Sequence, residues 1–476
     1  MSNQRSLSGT LGLGYVIIFV FANIIGSGVY KKIAPMADGL QSSAWILIAW
    51  AAAGVITLFG ALSNAELAGM LADTGGEFVY LKKIYNRFFS FLYGWSLFTV
   101  IQTATIASLA YVFTQSLNSI VPLPELFSDW QNATVGGVFF PFRESGIKLT
   151  AILLIMSLTL LNMSGLKSGA RVNKVLFFLV CAGLMVIVVS GLTNSSRSPS
   201  EIANYNYLKA DSVTVSSFMT AMLAAFWAYQ GWVSAGFIGG EIKDARRNIP
   251  KGIVIGVLAI TIIYLLVNYS YLAVMSIPEL VSVHEAGNQV AAIEMVRSFA
   301  GSGGVFFISL LILVSTLGCL NASILTGSRP YYAMSREGLF FSGIGKLNNR
   351  NVPGNSLFWQ GIWASVLVLS GNFDQLTDML IFAVYIFYSA MAAGVFILRR
   401  RMPEANRPYK AWGYPVLTAL FVLFCAGLFI NTIVTRPREA LIGLSLIMAG
   451  IPVYFLFRRR YRPEGNHDLK AGQADQ

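Results

Sequence analysis

Long apolar runs and short polar ones alternate along the whole chain. Cutting the sequence at every Asp, Glu, Lys and Arg leaves twelve charge-free stretches of 18 residues or more: 6–30, 39–65, 88–124, 149–166, 175–196, 212–240, 252–278, 298–328, 351–373, 379–398, 411–435 and 440–457. Each is long enough to cross a hydrocarbon core of about 30 Å as a helix. Lipid offers the backbone no hydrogen-bond partners, so a spanning segment must be a helix or part of a closed barrel. The alternating strands of a barrel, about ten residues each, are missing from the pattern. The prediction is an all-α integral membrane protein with about 12 transmembrane helices. Stretch 88–124 counts as one span ending near Leu117, because a second span there would invert every loop that follows.

Charge refines this picture. Only 12% of the 476 residues are charged and 55% are hydrophobic, about half the charge of a soluble chain. With the N-terminus inside, 25 of the 34 Lys and Arg fall in cytoplasmic segments, the bias expected of inner loops. Both termini are therefore expected in the cytoplasm of a cell-membrane protein. The net charge of +12 reflects orientation and anionic lipid and needs no nucleic acid. The first apolar run lacks a small-x-small cleavage site and reads as the first span. Cys181, Cys319 and Cys425 all lie within spans, so neither an extracellular disulfide framework nor a metal-ligand spacing is expected. Segment 279–300 mixes apolar and charged residues at helical spacing and is expected along the membrane surface.

Two spans carry internal breaks. The first contains "NIIGSGVY", residues 23–30, and the sixth "AFWAYQGWVSAGFIGG". Glycines around Ser27, and Gly231 after Tyr229 and Gln230, would interrupt both helices at mid-depth, five spans apart. Breaks at matching positions of two five-helix halves point to an inverted-repeat transporter with a site at the bilayer midplane. The amides from Ser27 onward would lack intrahelical partners and form a donor cup for a carboxylate. Carbonyls from Phe226 to Tyr229 would face the same space and accept from an ammonium. Such a receptor grips a zwitterion without a charged side chain, and no Lys, Arg or Asp is expected at mid-depth in any span. The competing reading is helix packing, for which membrane helices use glycine routinely. For Gly26 and Gly28 alone the two readings stand about even; the second break favours a site. Glu66 reads as a structural hydrogen-bonding residue near the cytoplasmic end of span 2. Phe19, Phe21, Phe387 and Tyr388 read most simply as lipid-facing or packing aromatics, with walling the site as the alternative for each.

Four stretches, "NIIGSGVY", "FWAYQGW" with "GEIKDARRNIPKGI", "GSRPYYAMSREG" and "RRMPEANRPYKAWGYP", resemble the amino acid–polyamine–organocation superfamily and, within it, the L-type amino acid transporter branch. The resemblance runs from Gly9 to Tyr461. It implies a leucine-transporter-type 5+5 inverted repeat with discontinuous helices 1 and 6, working by alternating access. Residues 1–10 would then be a cytoplasmic N-terminus and 11–398 a ten-helix transport core, with repeats 11–193 and 212–398. Residues 413–458 would supply helices 11 and 12, and 459–476 a cytoplasmic tail. Carried over, the resemblance places the substrate carboxylate at the backbone of Ile25, Gly26, Ser27 and Gly28, assisted by the Ser27 hydroxyl. It places the amino group at the carbonyls of Ile24, Trp227, Ala228 and Gln230. Trp227 stands where many relatives have a phenylalanine as outer gate.

Two departures bear on substrate and coupling. A neutral Gln230 argues against arginine or lysine as substrate, because a buried cation without a partner is costly. L-type relatives often carry a lysine in span 5, resembling a fixed cation in place of sodium; aligned on "GARVN", that position is Val180. Exchange and cation coupling therefore both stay open, with Ser315 a candidate to hold an ion or water in the vacant place. Residues 118–146 contain no cysteine, so the disulfide-linked heavy-chain subunit of eukaryotic members is not expected. The expectation is secondary-active transport of neutral L-amino acids, with no catalytic residue, no cofactor and no metal. A polyamine or organic-cation permease would need acids in its pocket. An intramembrane enzyme would need a buried His, an Asp pair or a metal set, which the expected spans do not supply. An amino-acid sensor that does not transport would look the same in sequence.

Overall fold

The computed structural model describes residues 11–71, 76–135, 139–164, 169–204, 213–287, 289–350, 352–371 and 373–460. The expected cytoplasmic N-terminus, 1–10, and the tail from 461, with His467, lie outside the described residues. What is described is helical, with no sheet and two isolated bridges among those residues. In order, the helices are α1 (Leu13–Ile24), α2 (Gly28–Lys31), α3 (Ile33–Leu40), α4 (Ser43–Met70), α5 (Glu77–Ile84), α6 (Arg87–Ser96), α7 (Gln102–Asn118), α8 (Ser145–Met163), α9 (Gly169–Thr193) and α10 (Pro199–Asn204). There follow α11 (Val215–Tyr229), α12 (Ala245–Val274), α13 (Ile277–Ala286), α14 (Ala291–Arg336), α15 (Gly354–Ser370), α16 (Phe373–Arg401), α17 (Val416–Thr435), α18 (Pro437–Met448) and α19 (Gly450–Arg460). A π-helical turn, Leu97–Ile101, joins α6 to α7, and a 3-10 segment, Trp232–Glu241, follows α11. Among the described residues eight helices are long and apolar enough to cross a membrane, counting Arg87–Asn118 and Pro437–Phe457 as one each; α1 and Phe177–Thr193 are shorter apolar helices. The molecule is a multi-pass membrane protein.

Helix starts follow from local chemistry. Asn86 accepts from the amide of Phe89 at 2.9 Å to open α6. Thr214 with Ser217, and Ser276 with Glu279, form reciprocal capping boxes on α11 and α13. α12 then packs between α4 and α1, so that Trp50, Tyr229 and Tyr264 meet in one buried aromatic cluster behind the first break. Phe19, Phe21, Phe387 and Tyr388 are all buried in protein, which makes them packing residues and removes the lipid-facing reading.

Charged residues extend helices that the charge-free pattern ends early. The first membrane segment continues through Lys31 and Lys32 to Leu40, beyond Tyr30. The Lys32 ammonium lies 2.6 Å from Asp374 and 2.7 Å from the Thr377 hydroxyl, while Lys31 donates to Gln115 at 2.7 Å. α16 correspondingly begins at Phe373 and takes in Asp374 and Asp378. Pairing lets these charges sit in helix ends where single charges would not be tolerated. The expectation for segment 279–300 also changes. α13 packs on α3, and Leu280, Val283, Ala291, Ile293 and Met295 are buried in protein. Its helical periodicity serves a protein contact, secured where the Gly287 carbonyl accepts from Lys31 at 3.1 Å.

Glu66 is structural, as its position near a helix end suggests. Its carboxylate receives Arg399 at 2.9 and 2.6 Å and the amide of Ala411 at 2.7 Å, and Arg407 lies 3.2 Å away. Arg399 also stacks over Tyr414, 3.7 Å from the ring centre. This cluster ties α4 to the end of α16 and to the segment leading into α17.

Candidate functional site

The first break opens where α1 stops at Ile24. Ile25 has extended backbone, with its amide closing the last turn on the Phe21 carbonyl at 2.8 Å. The next short helix closes its first bond from Tyr30 to the Ser27 carbonyl at 3.3 Å. The amides of Gly26, Ser27 and Gly28 lie between those two bonds, at the start of a new helix, where N–H groups lack intrahelical partners. Gly28 presses directly on the second break. A methyl added there would sit 2.5 Å from the Ala228 Cα.

The second break follows Tyr229. Gln230 is extended, and Gly231 has φ +116°, a conformation that L side chains rarely adopt. A Cβ on Gly231 would also run into the Asn23 carbonyl, so the two breaks touch through backbone. A tyrosine from α12 joins them. The Tyr264 hydroxyl lies 2.9 Å from the Ala228 carbonyl and 3.2 Å from that of Ile24. One hydroxyl proton cannot serve both acceptors fully, so the pair keeps spare accepting capacity. The Gln230 side chain pairs with the Tyr388 hydroxyl at 3.0 Å, which fixes the break against α16.

Between the breaks lies a cavity of about 40 Å³, bounded by Asn23, Gly26, Ser27 and Gly28 on one wall and Trp227, Gln230 and Ser234 on another. The structure thus gathers Ile24, Ile25, Gly26, Ser27, Gly28, Trp227, Ala228 and Gln230 into one neighbourhood, although Ile25 and Ala228 do not line the cavity: Ile25 lines a separate pocket and Ala228 packs on Gly28. α7 and α14 complete the walls, from Gln102 and Thr105 to Cys319, Ser323 and Thr326. Thr326 lies toward the end of the bundle that carries Arg336. At the opposite end the cavity is covered. The Trp227 indole donates to the Ser27 hydroxyl at 3.3 Å, and its ring meets Phe373 edge-on at 6.0 Å. Lys31 and Lys32 stand over the Phe373 ring at 5.0 and 4.6 Å. The cover is an aromatic and ionic stack, with Trp227 innermost and the Lys32–Asp374 pair outermost.

Ser315 lies apart from this cavity. With Ile25, Val180 and Phe21 it lines a pocket of about 20 Å³ behind the first break. Outside the spans, Glu77 at the start of α5 is fully buried. Loss of hydration pushes its carboxyl up to about 8, opposed in part by its own amide and by the Tyr93 hydroxyl. Among the described residues no group of His, Cys, Asp and Glu could hold a metal ion.

Several residues of this neighbourhood escape a reading by breaks and charges. Tyr264, Gln102 and Thr105 are polar groups inside charge-free spans, and that contrast was their only signal. Cys319, Ser323 and Thr326 recur at helical spacing, which puts them on one face of α14.

Comparison with known proteins adds the family context. The sequence pattern of amino acid permeases matches residues 11–457. The serine/threonine exchanger SteT of Bacillus subtilis (strain 168) is 28% identical over 464 residues, covering 96% of this chain and 99% of that protein. The human b(0,+)-type amino acid transporter 1 is 26% identical over 460 residues, covering 95% of this chain and 88% of that protein. The human large neutral amino acids transporter small subunit 2 is 28% identical over 458 residues, covering 95% and 81%.

Proposed function

Since this chain belongs to the amino acid permease family, we propose that it moves neutral L-amino acids across the cell membrane by alternating access. The observation that carries this reading is the meeting of two interrupted helices around a cavity that holds no charged side chain. Amides from Gly26 to Gly28 receive the carboxylate there, with the Ser27 hydroxyl beside them. Carbonyls of Ile24, Trp227, Ala228 and Gln230 face the amino group. Those of Ile24 and Ala228 do so alongside the Tyr264 hydroxyl, which holds them in place. Trp227 is the gate.

The proposal includes the leucine-transporter-type 5+5 repeat with about 12 spans, of which 11–193 and 212–398 form the halves and 413–458 the last two helices. Both termini lie in the cytoplasm, where the basic loops gather. On that orientation the cavity faces inward and the Trp227 stack closes the outside. The protein works without a disulfide-linked heavy chain. Its similarity to SteT along nearly the whole length of both proteins supports exchange. Val180 and Ser315 sharing one pocket supports cation coupling as the second reading, with an ion or water replacing a fixed charge.

Counterflow into proteoliposomes tests both. At least one neutral amino acid loaded inside should drive uptake of its labelled form, and a requirement for sodium or a pH gradient would select the second reading. A broad panel that yields neither flux nor a thermal shift refutes the proposal.

A further inference from the structure

We infer that the α7–α14 side of the cavity selects substrates whose short side chains donate a hydrogen bond, through a hydroxyl or a carboxamide. The inference rests on the transport reading above and narrows its substrate class.

The wall is built with care at the backbone level. The π-helical turn Leu97–Ile101 inserts one residue ahead of Gln102 and resets the face that α7 presents. Its loosened carbonyls are claimed by side chains from other helices. Tyr331 donates to Leu97 at 3.1 Å and Trp363 to Thr99 at 2.8 Å. The same turn lets the Thr103 hydroxyl reach the Phe98 carbonyl at 2.9 Å. The distortion is therefore a fixed feature of the fold, and it delivers Gln102 and Thr105 to the cavity.

Several donors on this wall are engaged within the protein. The Gln102 amide nitrogen donates to the Ser323 carbonyl at 2.8 Å. The Thr105 hydroxyl donates to Ile101 at 2.7 Å, and that of Thr326 to Ala322 at 2.9 Å. Each hydroxyl has one proton, so what Thr105 and Thr326 keep for a ligand is lone pairs. A carboxamide that gives one N–H to an anchor keeps its carbonyl oxygen and a second N–H. Gln360 stands behind Gln102. Its nitrogen donates to Ile324 at 3.0 Å, while its side-chain oxygen is buried without a partner. Both glutamines press on Gly327, where a methyl would lie 2.5 Å from that orphan oxygen and also against Gln102 Cγ.

The wall is thus rich in acceptors and contains no carboxylate. A wall with this many lone pairs rewards O–H and N–H donors and is left unsatisfied by an aliphatic side chain. The space, about 40 Å³, holds on the order of three waters, which favours serine, threonine and asparagine over long side chains.

Isosteric pairs provide the test. In wild-type proteoliposomes, threonine should exceed valine in transport efficiency by about tenfold to a hundredfold, and asparagine should exceed leucine in the same sense. Gln102→Leu should narrow the threonine-to-valine ratio. If that variant reconstitutes poorly, Thr105→Val serves the same purpose, and the wild-type ratio stands without either. Valine carried as well as threonine, with both clearly transported, overturns the inference and leaves the transport reading intact. No flux of any neutral amino acid overturns both.

Discussion

The contact between Gly28 and Ala228 is one of the two backbone crossings of the breaks, and Gly28→Ala probes it directly. An added methyl would lie 2.5 Å from the Ala228 Cα, 2.6 Å from its Cβ and 3.0 Å from its backbone nitrogen. Carbon atoms in ordinary contact stand about 3.5–4.0 Å apart, so the overlap is about 1 Å. Two of the three atoms are main chain in the last turn of α11, where Tyr264 holds the Ala228 carbonyl, and cannot rotate away. Relief requires α2 and α11 to separate, at the cost of about 1–3 kcal/mol typical of overpacked cores. If binding bears that strain, affinity falls by roughly 5- to 150-fold. Gly26→Ala is the internal control, because its methyl would meet only the side-chain ends of Leu109 at 3.0 Å and Cys319 at 3.2 Å. Counterflow per reconstituted protein, with thermal stability measured alongside, should show Gly28→Ala reduced by about tenfold or more and Gly26→Ala only mildly affected. Wild-type flux and stability in Gly28→Ala, or the reverse order of the two variants, would refute the argument.

Three other perturbations follow from the same contacts. Tyr264→Phe leaves the Ala228 and Ile24 carbonyls without their shared hydroxyl. Removing one buried partner costs about 1–3 kcal/mol, so transport should drop about tenfold while the variant still reconstitutes; an unchanged rate would show that the breaks need no tie. Asp374→Asn strands Lys32, which is 1% exposed against 32% for the aspartate. The loss should be about 2 kcal/mol, below that of a fully buried pair because water reaches the acid. Lys32→Met combined with Asp374→Leu should recover most of it, and strict additivity in that double-mutant cycle would dismiss the pair as a closing contact. Glu77 supplies a pH signature. Its carboxyl is raised in the fold to about 8, so the folded state holds a proton that the unfolded chain releases. The associated stability is full below the unfolded value near 4.5 and is lost as pH rises toward 8, by at most about 1.4 kcal/mol per unit. Melting temperature should fall between about pH 5.5 and about 8 in the wild type and less steeply in Glu77→Gln; parallel curves would contradict this.

Much of the architecture was legible because its causes are local. A charge or an unpaired peptide group is penalised wherever it enters lipid, so apolar runs mark spans whatever surrounds them. Glycine relaxes the backbone wherever it sits, so "NIIGSGVY" and "YQGW" announced two irregular segments. The same locality explains the misplaced ends. Cutting at charges stopped the first span at Tyr30 and kept Asp374 and Asp378 out of α16, since a lone lysine in the sequence gives no sign that it will be paired. Periodicity in segment 279–300 was real, but whether its apolar face meets lipid or α3 is not written in the period.

What the sequence determined by itself is therefore a many-span membrane chain with two glycine-broken helices and a strong resemblance to amino acid permeases. Tertiary structure decided which polar groups meet. Tyr264 reaches Ile24 across 240 residues, Gln102 reaches Ser323 across 221, and Lys32 finds Asp374 across 342. A local pattern fixes where a helix runs and which face is apolar. Only the packing of helices against one another sets the few ångströms that turn separate hydroxyls, amides and carbonyls into one cavity.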